Sequence, residues 1–138
     1  MTSVRATREG LVGRPTATGW VIDATFPFVA LPSRRALGGW IKLRNPLTGQ
    51  QCCAEVRDVG PWNTHDEAYV FGGERPAAER GESVSGQGTN HAGIDLGEAV
   101  WRLLGMRDNT AVEWEWVIRP DGEGRGKYID KEFNPPRD

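Results

Sequence analysis

The segment WIKLRNPLTGQQCCAEVRDVGPW, residues 40–62, predicts a β-hairpin that ends in a sharp corner. At its start, Ile41 and Leu43 share one strand face, and the two basic residues that alternate with them share the other. The stretch NPLTGQ is turn chemistry, with Pro after Asn and then a Gly suited to a positive φ. QCCAEVRDV then returns as a second strand, which completes the hairpin.

The corner itself is EVRDVGPW, residues 55–62. We interpret Asp58 first as the residue that holds the corner by accepting backbone N–H groups, and second as a catalytic candidate. Gly60 and Pro61 make the turn. The aromatic face of Trp62 suits either a sugar-binding subsite or a cover over the open end of a barrel, and the sequence leaves both readings open.

Upstream and downstream of the hairpin, the chain has the pattern of a turn-rich β protein. Residues 1–18 look irregular, and residues 19–24 (GWVIDA) resemble a first strand. Residues 60–93 hold many glycines and little periodicity, and so long a connection is usually functional or mobile. Residues 93–106 follow a helical pattern, and residues 111–118 (AVEWEWVI) alternate as a closing strand.

This order of elements predicts an all-β fold with small α content, a small barrel with one short crossing helix and a long inserted loop. We expect an N-terminal arm (1–18), one barrel domain (19–118) and a charged C-terminal tail (119–138).

Composition limits the partners of the chain. The 138 residues carry a formal net charge of −2, with a pI of about 5.7. Both nucleic acid and anionic membranes favour a basic surface, so we expect neither as a partner. The N-terminus has no apolar signal region and no stretch is apolar enough to span a bilayer. We therefore expect cytoplasmic synthesis, with the protein either virion-associated or delivered to the periplasm by another route.

The cysteines, Cys52 and Cys53, are adjacent in the second hairpin strand. Neighbouring strand residues point to opposite faces, so we expect no bridge between them. Neither a metal-ligand spacing nor a cofactor motif is present, and we expect no metal and no cofactor.

Two motifs, in this order, resemble a known family. Asp58-Val-Gly-Pro-Trp62, and Ile94-Asp-Leu96 with its Leu-Gly ending, are similar to the double-psi β-barrel of the rare lipoprotein A-like and barwin/expansin-like group. The resemblance covers roughly residues 37–118. It implies a six-stranded double-psi β-barrel with a groove across one face.

The resemblance also implies an activity on polysaccharide. Catalytic members of the group act on peptidoglycan as lytic transglycosylases or on β-glucan as endoglucanases, whereas expansins bind and loosen walls without hydrolysis. The aspartate of the "DL" motif, here Asp95, is the general acid or base of the catalytic branches. The chain departs from the pattern in lacking a His within residues 31–37, and Asp23 is the acid nearest to where the family places a glutamate.

Asp95 has two interpretations. As an acid that protonates a glycosidic oxygen, it needs a pKa raised by burial or by a neighbouring negative charge. As an N-cap of the helix, with Glu98 completing a capping box, its pKa would instead be lowered. With the family resemblance, we favour the catalytic interpretation.

Several other side chains are candidates for the same site. His91 lies four residues before Asp95 and is the candidate to replace the missing family His, although most such residues simply form surface hydrogen bonds. The candidates for binding substrate are Trp62, Tyr69, Trp40 and Asn90.

Three functions are compatible with these features. The first is cleavage of cell-wall polysaccharide, with peptidoglycan as the expected partner, by a lytic transglycosylase-like or glycosidase-like mechanism. The second is a non-catalytic, expansin-like module that binds the wall. The third is a structural component of a phage tail or secretion assembly, with other subunits as partners. Because one fold serves many functions, the preference for an enzyme depends on the resemblance.

Overall fold

The computed structural model describes residues 1–86 and 88–117, and this part of the chain forms a closed barrel of six strands. The strands are β1 (Thr2–Arg8), β2 (Phe28–Leu31), β3 (Trp40–Arg44), β4 (Gln51–Val59), β5 (Ile94–Leu96) and β6 (Ala111–Val117). They follow the order β1-β5-β2-β4-β3-β6 around the barrel, in which the pairs β1–β5 and β2–β4 are parallel. The predicted fold class, an all-β barrel of six strands with little helix, is confirmed.

Short helical segments lie in the connections. The α-helices are α1 (Glu67–Val70) and α2 (Glu98–Leu103), and 3-10 turns cover Arg34–Ala36 and Ala77–Arg80. No helix in the described ranges is long and apolar enough to cross a membrane.

The predicted hairpin is confirmed as β3 and β4. Ile41 pairs with Ala54, and both are fully buried, because the apolar residues of the two strands alternate toward the barrel interior. Within the turn, Gly49 adopts a φ of 77°, which glycine reaches without a Cβ clash. Cys52 and Cys53 are both free thiols, as expected from their adjacency.

The N-terminal residues differ from the sequence-based expectation. The irregular structure predicted for residues 1–18 is wrong over Thr2–Arg8, which forms β1 and pairs with both β5 and β6. The inward residues of this strand, Val4 and Ala6, are small, so the apolar alternation is weak in the sequence. The strand predicted at residues 19–24 is also wrong. In its place, the next strand is β2, and residues 9–27 form an excursion between β1 and β2.

The helix predicted over residues 93–106 divides into two elements. Ile94 and Leu96 point into the barrel core from strand β5, and the helix begins only at Glu98. Gly105, with a φ of 65°, follows the end of α2, as the sequence predicted.

The closing strand is confirmed as β6, in which Val112 and Trp114 are buried. Ile118 and the tail predicted at 119–138 lie outside the described residues.

Candidate active site

A row of side chains crosses four neighbouring strands on the outer face of the barrel. Ala30 of β2 is in register with Asp95 of β5 on one side and with Asp58 of β4 on the other. Asp95 is in turn in register with Thr7 of β1. Residues in register project to the same side of a sheet, so the two aspartates and the threonine share one face. Ala30 between the aspartates has a small side chain, which leaves space between their carboxyl groups.

A β-bulge turns Asp58 toward this face. Ala54 and Val56 of β4 point into the core, so regular alternation would direct Asp58 inward as well. The β2–β4 register shifts between Val29 and Ala30, so that Val29 is opposite Val56 and Ala30 is opposite Asp58. The extra residue in β4 therefore reverses the alternation, a common use of bulges next to functional sites.

Asp95 is held in an environment that favours its protonated form. Its neighbours in β5, Ile94 and Leu96, are fully buried in the core, and the hydroxyl of Thr7 donates a hydrogen bond to Oδ1. Burial raises the pKa of Asp95 to about 6. The hydrogen bond from Thr7 opposes this shift, and the negative charge of Asp58 adds to it.

The N-cap interpretation of Asp95 is wrong. The N-cap of α2 is Gly97, and Asp95 lies within a strand. Glu98 does not complete a capping box, because its two carboxylate oxygens accept hydrogen bonds of 2.7 and 2.6 Å from Arg8. Asp95 is thus free of the cap geometry that would have lowered its pKa.

Asp58 is fixed by the backbone. Its Oδ1 accepts hydrogen bonds from the N–H groups of Val59, at 2.8 Å, and Ala17, at 3.0 Å. The first bond fits the corner-holding role that the sequence suggested. The second comes from a turn at residues 16–19, which the N–H of Gly19 closes by donating to the carbonyl of Thr16 at 3.0 Å. The excursion between β1 and β2 therefore folds over the end of β4 and reaches Asp58.

Glu9 is a third carboxyl group of the site, and sequence reasoning missed it. The N–H of Glu9 donates to the carbonyl of Leu96 at 2.8 Å, which extends the β1–β5 ladder by one residue. Glu9 follows Thr7 by two positions, so alternation places it on the same face. Its Oε2 is buried and has no hydrogen-bond partner among the residues that the structure describes.

The pKa of Glu9 is raised to about 8. Burial is the largest cause, followed by the negative charges of Asp58 and Asp95 and by a hydrogen bond to Asp58. The neutral carboxyl group can donate that bond, whereas an ionised one cannot. We refer to Glu9, Asp58 and Asp95 together as the carboxyl cluster.

The Gly60-Pro61 corner lies against the cluster. A methyl group built on Gly60 would be 3.8 Å from Oδ2 of Asp95. Two residues on, Trp62 is half-buried, and its Nε1 donates a 2.8 Å hydrogen bond to Oδ1 of Asn90. The structure therefore brings together two of the predicted substrate-binding residues, Trp62 and Asn90, next to the corner.

Other predicted site residues lie elsewhere. His91 is exposed, and its Nδ1 is 3.1 Å from the carbonyl of Glu79; none of its hydrogen bonds within the described ranges reaches the carboxyl cluster. Tyr69 is buried at 2% exposure, donates to the carbonyl of Gly93 and accepts from Trp114, so it is a core residue. Trp40 is half-buried on β3, where its ring packs edge-on against Phe26.

Two further features define the surroundings. In the part of the chain that the structure covers, no group of three or more His, Cys, Asp or Glu side chains is arranged to hold a metal ion. A pocket of about 480 Å³ lies at another part of the surface, lined by residues that include Tyr69, Phe71, Trp114 and Trp116, and the carboxyl cluster does not line it. The partly buried carboxyl cluster, with two raised pKa values, is therefore the candidate site for acid–base chemistry.

Comparisons with known proteins add the following. No curated protein matches the chain. Among solved structures, the chain is similar to the Streptomyces papain inhibitor (SPI), with a TM-score of 0.46 and 16% sequence identity, over 82% of this chain and 92% of that one. A family profile matches residues 1–79, more than half of the sequence. The chain belongs to the family described as Domain of unknown function (DUF8814).

Proposed function

We propose that the protein cleaves cell-wall polysaccharide, with peptidoglycan as its substrate, by acid–base catalysis in the carboxyl cluster. One observation carries the proposal. Three carboxyl groups from different parts of the chain meet on one outer face, and two of them, Glu9 and Asp95, have pKa values raised to about 8 and about 6. Carboxyl groups with separated, raised pKa values suit complementary roles as acid and base near neutral pH.

The two raised pKa values support a division of roles between Glu9 and Asp95. At pH 7 Glu9 is protonated and able to donate a proton, whereas Asp95 is mostly ionised and able to accept one. Asp58, held by two backbone N–H groups, supplies fixed negative charge beside both. That charge helps to raise both pKa values.

The reaction balances with these groups. Glu9 gives its proton to the glycosidic oxygen as the bond from that oxygen to the anomeric carbon breaks. Asp95 takes the proton from the hydroxyl that attacks the anomeric carbon. Attack by water gives hydrolysis, and attack by the 6-hydroxyl of the same sugar gives a 1,6-anhydro product.

The corner supplies an aromatic contact for the substrate. Trp62 is fixed by its hydrogen bond to Asn90, and the Gly60 backbone leading to it lies against Asp95. A fixed indole ring beside a carboxyl site suits the C–H face of a sugar. The similarity of the two motifs to the double-psi, rare lipoprotein A-like group supports peptidoglycan as the polysaccharide.

The proposal is tested by incubating the purified protein with peptidoglycan sacculi and identifying the soluble products by mass spectrometry. Muropeptides with 1,6-anhydro ends are expected from transglycosylation, and reducing ends are expected from hydrolysis. Sacculi that bind the protein but release nothing would favour the expansin-like binding module. If the protein neither binds the sacculi nor releases soluble products from them, the proposal is contradicted.

A further inference from the structure

A second pocket, of about 250 Å³, is lined in part by chain neighbours of Asp58 and of its hydrogen-bond partner Ala17. It is lined by Thr18, Leu37, Gly38, Glu55, Val56 and Arg57. Thr18 follows Ala17, the residue whose N–H is bonded to Asp58, and Arg57 precedes Asp58 in β4. The pocket therefore lies near the end of the site that Asp58 occupies, along β4.

The polar wall of this pocket is a fixed arginine–glutamate pair. Nε of Arg57 donates to Oε1 of Glu55 at 2.5 Å, and the two side chains are 29% and 18% exposed. The guanidinium group of Arg57 also lies over the rings of Phe26, at 4.2 Å, and Trp20, at 4.8 Å. Held between a carboxylate and two aromatic rings, the guanidinium group loses little further freedom when a ligand binds.

We infer that this pocket is a binding subsite for one uncharged sugar ring of the glycan, next to the bond that is cut. The inference rests on the proposed function and names the class of sugar unit that the site takes. A planar guanidinium beside a carboxylate offers donors and an acceptor to neighbouring hydroxyl groups of one ring. The pocket volume of about 250 Å³ suits about one pyranose unit and is smaller than that of a site for a drug-sized ligand.

Charge excludes an anionic ring from this position. Glu55 already neutralises Arg57, so the pocket has no unbalanced positive charge to bind a carboxylate or sulfate. The carboxylate of Asp58, which follows Arg57 in β4, adds negative charge nearby and repels anions. A uronic acid therefore binds less well here than a neutral hexose or an N-acetylhexosamine.

The test measures binding separately from cleavage. Titration calorimetry with chitotetraose, cellotetraose and tetragalacturonate is carried out on the Asp95→Asn chain, so that no turnover interferes. The substitution Arg57→Lys keeps the charge but loses the planar donor group and its stacking. Arg44→Lys is the matched control, because Arg44 forms a similar partly exposed pair with Glu113, at 2.9 Å.

We expect at least one neutral tetraose to bind, with affinity lowered about tenfold or more by Arg57→Lys and unchanged by Arg44→Lys. We expect tetragalacturonate to bind more weakly than that tetraose. If Arg57→Lys does not fold, as judged by thermal melting, Glu55→Gln with Glu113→Gln as its control replaces it.

The outcomes separate the two proposals. Equal neutral-tetraose affinity in Arg57→Lys and Arg44→Lys, or tighter binding of tetragalacturonate, would overturn the subsite while cleavage of sacculi by the wild type still stands. If no tetraose binds but sacculi are cleaved, the KM for sacculi in Arg57→Lys decides. An unchanged KM overturns the proposed subsite, and a raised KM supports the proposed subsite. Absence of both cleavage and binding overturns the proposed function and the subsite together.

Discussion

Asp58 and Asp95 stand on either side of Ala30, each in register with it from a different neighbouring strand. The arrangement depends on the bulge in β4, because regular alternation would turn Asp58 into the core. With Glu9 on the same face, the negative charges of Asp58 and Asp95 raise the pKa of Glu9, and that of Asp58 raises the pKa of Asp95. The following predictions depend on this relationship.

The activity is expected to have a bell-shaped pH dependence. The base Asp95 loses its role below its pKa of about 6, and the acid Glu9 loses its proton above its pKa of about 8. We therefore expect kcat/KM to be highest between about pH 6 and pH 8, and to fall on both sides. The pH dependence is measured as the initial rate at which soluble products are released from sacculi, in buffers of constant ionic strength. A rate that is level from about pH 5 to pH 9 would exclude the assigned roles.

The substitution Thr7→Val should move the acidic limb of that profile. The hydroxyl of Thr7 donates to Asp95 and so lowers its pKa, and valine cannot replace this bond. We expect the acidic limb to shift to higher pH while the basic limb, which belongs to Glu9, stays in place. Thr2→Val on the same strand is the control, and it should leave both limbs unchanged. An acidic limb that stays where it is in Thr7→Val would show that Asp95 does not control it.

Glu9 should make the stability of the protein depend on pH. Its pKa in the folded state, about 8, lies above the ordinary value of 4.5, so the folded state retains a proton that the unfolded state releases. The contribution of Glu9 to the free energy of unfolding is therefore fully present below about pH 4.5 and is lost as pH rises through about 8. Asp95 contributes a slope of the same sign at lower pH, up to about 6.

Urea unfolding at pH 6 and pH 8 isolates the contribution of Glu9. We expect the wild type to lose stability between these values, and Glu9→Gln to lose much less, because glutamine does not titrate. Glu74→Gln, at an exposed position, is the control and should behave as the wild type. Equal losses in the wild type and in Glu9→Gln would mean that Glu9 titrates normally.

Tyr69→Phe should affect stability but not catalysis. The hydroxyl of Tyr69 joins the carbonyl of Gly93 to the indole N–H of Trp114, and all of this lies inside the fold. Removing it leaves a buried donor without its acceptor, which costs roughly 1–3 kcal/mol of unfolding free energy. Thermal or urea unfolding measures the loss. A large fall in kcat with unchanged stability would instead return Tyr69 to the substrate-binding residues.

The sequence was informative where residue patterns are strong. The hairpin, the helix end at Gly105 and the alternation of β6 could each be predicted, because turn residues and apolar periodicity are marked there. Strand β1 could not be predicted, because only Val4 and Ala6 fill its inward positions and the resulting apolar alternation is weak. The short strand β5 was predicted as part of a helix because Leu96 lies on one apolar helical stripe with Val100 and Leu104.

The missed strand explains the missed acid. Without β1, Glu9 belonged to an irregular stretch and no reasoning could place it beside Asp95. Once Thr7 is known to be in register with Asp95, the two-residue spacing to Glu9 becomes a readable signal. The bulge that turns Asp58 outward has a weaker signal, because the alternation begun by Ala54 and Val56 would place the carboxyl group of Asp58 in the core.

The most direct test of the central claim is the rate at which sacculi are solubilised at pH 7 by the wild type, Asp95→Asn and Asp23→Asn. Asp23 is exposed and bonds its own turn through Thr25, so its substitution controls for the loss of one acidic side chain. We expect Asp95→Asn to lose at least about 100-fold in rate and Asp23→Asn to match the wild type. A wild-type rate in Asp95→Asn, with the protein folded, would contradict the assignment of the carboxyl cluster as the active site.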